Sequence, residues 1–517
     1  MIQKFLSYLL SFEKLRMDFV IGVAVVSVWG FLYLPHLRTS PAWYGDEALA
    51  LTAGLNFVRG VPAHGSFWNT FWNPYAPYQP AYEALVGFAA QAAGNDILGG
   101  RFVNALFGLA TALVVCFGGR RIMGRACALG ASLVFLGYEQ SVIHFRWIFT
   151  HNLVALGFAI TFLWLCGKPT RRNDGIAGCG LGLAGLALPL SVYGCIAAFL
   201  IRIRHPKSWL PLIGPYAVVT ASSLGLALVL FPGKGFLWTD LAAMAEFYAD
   251  ASRENGGGGK VFENFLRFYT QDAFHIVAFG MVLVSLAGRG RNLAVGALAV
   301  SVLLLQNRQN LTVFYYQAVV ILPLLAVCFG AGFQVLADRL GRVVPRNPVA
   351  TLAGLAPVAL GGILCLTMLP KSLGGSLQPR IAPWCTQSIP EVEAAAAWIN
   401  ARTGPGDLVI CHQNIAWLLH ARTADYLQAT TWQGRSTWPF KQPLRRDQFR
   451  FDPDLSKARY AVVADIDRVW TFAQPGVGAT VAVFEKKKWP VVWAGENYLV
   501  LENPVLRQAQ GFGEADR

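Results

Sequence analysis

Ten apolar runs, most of them near the roughly 20 residues that a membrane-spanning helix needs, leave this chain few choices of fold. They fall at roughly 17–37, 101–118, 125–138, 147–166, 175–201, 209–231, 270–287, 293–305, 317–337 and 349–370. Of 517 residues, 55% are hydrophobic and 14% charged. A soluble chain with so little charge would expose large apolar patches, so the class is a polytopic membrane protein. Residues Met1 to Arg16 show no cleavable signal pattern, and the first run is long enough to act as an uncleaved signal anchor.

The run 175–201 is rich in glycine and carries Pro189 at its middle, with Lys168, Arg171 and Arg172 before it and Arg202, Arg204 and Lys207 after it. A single span would put one basic cluster on each side. A broken hairpin turning near Leu188-Pro189-Leu190-Ser191 keeps both on one side, which gives about eleven spanning helices. On that topology the inner segments hold 17 Lys and Arg in 52 residues and the outer loops 8 in 119. The positive-inside rule then places the N-terminus in the cytoplasm and the loop 38–100 outside. Segment 79–93 reads as a helix lying in the outer interface. The net charge of +14 does not point to nucleic acid, because the basic residues sit in short loops between apolar runs.

After residue 371 the composition changes. A helix over 390–402, strands at 407–411 and 460–464, a short helix from Asn414 to His420 and a hairpin over 491–500 predict a small extracytoplasmic α/β domain spanning 372–517. Residues 1–371 form the membrane domain. The nine cysteines show no metal spacing; Cys385 and Cys411 of the tail could pair if that side is oxidising.

Chemistry concentrates where the first apolar run ends. Asp46 and Glu47 are adjacent carboxylates at the mouth of a membrane helix, where an ionised group must be paired, solvated or used. The loop beyond them, with His64, Trp68, Trp72, Tyr75 and Tyr78, is aromatic and nearly free of basic residues, a surface suited to stacking on sugars. Among the residues of the proposed outer side, Arg101, Arg146 and Arg308 are the candidate phosphate-binding arginines. An arginine fork suits phosphate.

These features, taken in order, resemble one family. Asp46-Glu47 follows the first helix. Asn73-Pro74-Tyr75-Ala76-Pro77-Tyr78 precedes an interfacial helix, and Gly100-Arg101-Phe102-Val103-Asn104 opens the next hairpin. His144-Phe145-Arg146-Trp147 starts the fourth helix, and the tail carries Gly404-Pro405-Gly406-Asp407. The pattern resembles the GT-C fold glycosyltransferases, in the branch of the protein O-mannosyltransferases, the lipid A aminoarabinose transferase and the related dolichyl-phosphate-mannose transferase-like proteins. The resemblance implies an all-helical GT-C membrane domain and an inverting transferase. Its donor is a sugar on a polyprenyl phosphate, undecaprenyl phosphate in a bacterial inner membrane, and its acceptor an extracytoplasmic lipid, glycan or protein. It implies Asp46 as general base and Glu47 as a group positioning acceptor or a divalent cation. Beside it, a departing lipid phosphate needs cationic stabilisation at the membrane surface, for which Arg146 with Arg308 or Arg101 is the candidate set. Where the family often has an aspartate five residues after the helix-four arginine, this chain has His151, and no lysine stands at the tip of the broken hairpin.

Plainer readings compete at each position. Asp46-Glu47 could be a solvated helix cap, Arg101 and Arg146 could snorkel to headgroups, His151 could be a core histidine, and the aromatic loop could be an interfacial belt. A cation site of Asp46, His64 and His151 has unspecific spacing. Two other classes remain in view. A transporter or flippase would show repeated halves and polar residues at mid-membrane. A non-catalytic GT-C-like subunit would bind lipid-linked glycan without turning it over.

Overall fold

The computed structural model describes residues 2–61, 63–65, 80–187, 190–230, 259–305, 315–343, 348–379, 385–437, 446, 449, 452–474 and 476–509. They form two compact units. One comprises Met1–Pro41, Asn104–Ala221 and Gly256–Pro379; the other comprises Ala42–Val103, Ser222–Asn255 and Arg380–Arg517.

The first unit is a helical bundle. Its first helix is Ile2–Tyr33 and its last Pro348–Leu373. Among the described residues, four helices are long and apolar enough to cross a membrane: Arg16–Tyr33, Ile97–Gly137, Ala318–Val343 and Pro348–Leu373. Shorter apolar helices include Thr150–Leu165, Ser191–Arg202, Ala273–Ser285 and Arg291–Leu305. The expected pair of runs at 101–118 and 125–138 is helical from Ile97 to Gly137 but broken at Gly124, whose φ of 72° ends one helix and starts another. Glycine reaches that region without a Cβ clash.

The run 175–201 is two helices, Arg171–Gly185 and Ser191–Arg202, separated where the hairpin tip was expected; Leu188 and Pro189 lie outside the described residues. A buried ion pair joins the start of one to the end of the other, with Arg202 Nε 2.9 Å from Asp174 Oδ1. Arg202 also donates to the Gly167 carbonyl at 3.1 Å. Helices Thr150–Leu165 and Arg171–Gly185 meet backbone to backbone, because a methyl group on Gly157 would stand 2.5 Å from the Gly180 carbonyl oxygen. Small residues at such crossings are how apolar helices associate in lipid.

The second unit is built on two sheets. Strands β1 (Trp43–Tyr44) and β2 (Thr386–Gln387) pair antiparallel. The larger sheet has β3 (Leu408–Ile410), β4 (Arg422–Ala424), β5 (Tyr460–Ala464), β6 (Val491–Ala494) and β7 (Tyr498–Glu502) in the order β4-β3-β5-β7-β6. β3 is parallel to β4 and β5, whereas β7 is antiparallel to β5 and β6. Every residue of β3 and β5 is buried, the near-continuous apolar run expected of a strand covered on both faces. Ile410, Ala424, Leu427, Ala461 and Trp489 pack together over the sheet.

In the same unit, helices Glu47–Arg59 and Pro80–Ala92 cross at paired glycines. A methyl group on Gly54 would lie 2.3 Å from the Glu83 carbonyl oxygen and 2.7 Å from the Gly87 nitrogen. A Gly54→Val substitution therefore has no room without moving backbone, and overpacking of this kind costs about 1–3 kcal/mol. Thermal unfolding of the purified variant in detergent should show a clearly lowered midpoint; an unchanged midpoint would mean that the two helices part freely.

Candidate active site

The two adjacent carboxylates have different fates. Glu47 begins the helix Glu47–Arg59 and is 1% exposed, and Arg101 is fully buried. Arg101 Nε donates to Glu47 Oε1 at 2.9 Å and Nη2 to Oε2 at 2.6 Å. This is the bidentate fork, the strongest geometry for such a pair. The Tyr44 backbone N–H adds a third bond to Oε2 at 2.9 Å, and Arg101 Nη2 reaches the Ala42 carbonyl at 3.5 Å. Two expected site residues are thus brought together as partners, a pairing across 54 positions of sequence.

Asp46 is at the N-cap position of the same helix and is half-buried. An aspartate there ordinarily accepts a backbone N–H of the first turn. Asp46 makes no such capping bond, and its own backbone is already in the helical region at φ −82° and ψ −11°. Its charge is felt by Cys385, whose thiol is pushed up to about 12, first by burial and then by Asp46. The turn is fixed from below, since Gly45 N donates to the Cys385 carbonyl at 2.9 Å. Cys385 and Cys411 are both buried free thiols.

Trp43 packs against Trp417 with ring centroids 5.2 Å apart and planes tilted by 58°, and the Trp417 indole donates to the Asn414 carbonyl at 3.0 Å. The short helix Gln413–Ala416 starts just beyond the carboxyl end of β3. Its N-cap residue, His412, is 7% exposed, and burial holds the imidazole down at about 4. Beyond β5 comes a single π-helical turn, Asp467–Thr471. Asp467 is fully buried and accepts from Ala464 N and Thr471 Oγ1, both at 3.0 Å; burial pushes its carboxyl up to about 7.

His64 is committed elsewhere. Its backbone pairs with Thr423 along the free edge of β4, flanked by bonds from Gly65 N to the Thr423 carbonyl and from Thr423 N to the Ala63 carbonyl. Arg59 Nη1 lies 3.5 Å from His64 Nε2, so the proton sits on Nδ1, which donates to Thr423 Oγ1 at 3.2 Å. Burial and then the Arg59 charge hold His64 down at about 3. Its place in the structure is that of an edge cover for the sheet.

In the first unit, Arg146 is fully buried. It donates to the Pro35 carbonyl, to the Leu32 carbonyl at 3.5 Å and to Ser372 Oγ at 3.4 Å, while Ser372 Oγ donates to the Leu32 carbonyl at 2.7 Å. A cation over the last carbonyls of a helix is favourable twice, through the hydrogen bonds and the helix dipole. The residues around it are held by Asn152, whose amide donates to Asn104 Oδ1, the His144 carbonyl and the Trp147 carbonyl at 2.9, 3.0 and 3.1 Å. His151 is 7% exposed in the first turn of Thr150–Leu165, edge-on to Phe149. Arg308, Trp68, Trp72, Tyr75 and Tyr78 lie outside the described residues.

No family's sequence pattern matches the chain, and no curated protein does so either. Solved structures do. ArnT from Cupriavidus metallidurans bound to undecaprenyl phosphate aligns over 94% of this chain and 97% of its own, with a TM-score of 0.60 at 13% identity. The same protein in the apo state gives 0.61 at 15% identity. The oligosaccharyltransferase from Archaeoglobus fulgidus, tethered to an acceptor peptide, aligns over 95% of this chain and 74% of its own, with 0.53 at 12% identity. The fold is GT-C.

Sequence identity this low makes the match one of architecture, which is why only a spatial comparison finds it. Within this GT-C fold no three His, Cys, Asp or Glu side chains come together as a metal site among the described residues. The donor set at Glu47 does not fit a dication, because both carboxylate oxygens are taken by a guanidinium.

The Glu47–Arg101 pair carries a stability prediction. Replacing Arg101 with Met strands a buried carboxylate, a loss of about 3–5 kcal/mol. Adding Glu47→Leu to Arg101→Met should recover part of it. Unfolding midpoints of the single and double variants would measure the coupling, and strictly additive losses would mean the two groups do not act as a pair.

Proposed function

We propose that this multi-pass membrane protein is an inverting glycosyltransferase that moves a sugar from a polyprenyl phosphate to a hydroxyl-bearing acceptor outside the cytoplasm. The observation that carries the reading is Asp46. It is a half-buried carboxylate at the head of a helix, turned away from capping it, in a fold shared over nearly its whole length with a protein solved with undecaprenyl phosphate. The charge asymmetry of the loops supports a cytoplasmic N-terminus, an external site and a tail, 372–517, that forms an extracytoplasmic α/β domain. A bacterial plasma membrane is the proposed setting.

In the proposed reaction the acceptor hydroxyl attacks the anomeric carbon from the face opposite the phosphate. Asp46 takes the hydroxyl proton as the new C–O bond forms. The old C–O bond breaks with its electron pair leaving on the lipid phosphate, and the configuration inverts. Glu47 enters this scheme as the partner of Arg101, so that the pair beside Asp46 is neutral overall. We assign Arg101 and Arg146 to holding the frame and Arg308 to the departing phosphate, whose charge needs cationic stabilisation. Trp68, Trp72, Tyr75 and Tyr78 are the proposed sugar-stacking surface. The chemistry proposed requires no metal at Glu47.

Purified protein incubated with radiolabelled polyprenyl-phosphate hexoses and pentoses should transfer label, and Asp46→Asn should reduce transfer by about 10²–10⁴-fold, the range of general-base catalysis. Equal transfer by both proteins would remove Asp46 from the role of base.

A further inference from the structure

The larger sheet has the connectivity of a small doubly wound unit. The chain passes from β3 to β4 on one side and then to β5 on the other side of β3. In open parallel sheets the carboxyl ends of the two strands at such a switch form the crevice where ligands bind. Here those ends lead into His412 and into Ile466. The turn that carries Asp46 sits against them: a methyl group on Gly45 would stand 3.3 Å from Ile466 Cδ1 and 3.6 Å from His412 Cε1. Gly45 has no side chain, and that is what lets the imidazole approach the residue next to Asp46.

The protonation of His412 is set by its surroundings. Its Nδ1 accepts from the Asn414 backbone N–H at 3.4 Å, and burial keeps the ring neutral at physiological pH. The one ring proton is therefore on Nε2. Nε2–H has no hydrogen-bond partner among the described residues, although the side chain is more than nine-tenths buried. Nε2 is not among the buried polar atoms that lack a partner; the ring is enclosed, but this nitrogen reaches accessible space, where it can donate to a ligand.

We propose that the switch-point crevice at the ends of β3 and β5 is the acceptor site, and that His412 Nε2–H donates to the oxygen of the acceptor hydroxyl. This rests on the glycosyltransferase reading above. A hydroxyl that accepts from His412 and donates to Asp46 has both its proton and its attacking lone pair oriented. His412 stays neutral throughout and takes no proton. Asp46 remains the base.

The test uses full-length protein in lipid nanodiscs, a polyprenyl-phosphate sugar donor and octyl β-D-glucoside below its micelle concentration as the hydroxyl probe. Loss of one neutral hydrogen bond in His412→Ala should raise the KM for the glucoside about 3- to 12-fold and leave the KM for the donor unchanged. His412→Gln, with an amide N–H near the Nε2 position, should restore most of the affinity. His412→Asn, whose shorter amide reaches only the Nδ1 position, should not. His412 itself should add no inflection to the acceptor KM between pH 6 and 8; an inflection near 7 would belong to Asp467 at the end of β5. An unchanged acceptor KM in His412→Ala, or an Asn variant as good as the native protein, would overturn the proposal.

A second measurement needs no turnover. Carbethoxylation of His412 by diethyl pyrocarbonate, read by mass spectrometry, should be slowed by the glucoside. Protection without any sugar transfer would keep the hydroxyl site and sink the transferase reading, whereas transfer without protection would sink the site and keep the enzyme.

Discussion

The second unit depends on one buried ion pair. Arg101 and Glu47 are both sealed from water, and neither is tolerable there without the other. Their fork fixes direction as well as distance, since two parallel bonds resist rotation of either side chain. Tyr44 N–H adds a bond to the same carboxylate, so the pair holds the start of the helix Glu47–Arg59, strand β1 and the beginning of Ile97–Gly137 in one arrangement. β1 then pairs with β2, and Trp43 meets Trp417, which ties the turn around Asp46 to the sheet. Asp46 is placed by its neighbours' bonds, without a capping bond of its own.

The first unit uses arginine in a related way. A helix ending in apolar surroundings leaves its last carbonyls without water, and each must find a donor. Arg146 supplies donors for Leu32 and Pro35, and Ser372 shares the Leu32 carbonyl. Arg202 does the same for Gly167 while it neutralises Asp174. In a chain with 14% charged residues, a buried arginine serves as a structural donor first. Sequence position near a membrane surface is therefore a poor guide to an arginine's role.

What was readable in the sequence follows from range. The apolar runs, the break within 175–201 and the strands at 460–464 and 491–500 are signals carried by neighbouring residues, and each appears in the structure close to its expected place. Gly124 was visible only as part of a basic loop, because a single left-handed residue inside otherwise helical sequence leaves little periodic trace. The partners of the site residues were not readable. Arg101 with Glu47, His64 with Thr423 and Arg146 with Ser372 are joined across 54, 359 and 226 positions, and no local pattern encodes such contacts. His412 escaped for a further reason. A lone histidine after a short strand is common, and only the approach of Gly45 gives it meaning.

Adjacent carboxylates at the head of a helix would repel one another if both faced the same space. The backbone prevents this. Asp46 stands at the cap and Glu47 at the first helical position, so their side chains leave the helix in different directions. One is taken into the protein and paired with Arg101; the other stays half-buried at the cap. The division needs Arg101 in place, a residue supplied by the helix Ile97–Gly137. Sequence adjacency alone makes the two acids look like a pair, but the fold buries one against Arg101 and leaves the other half-buried at the helix head.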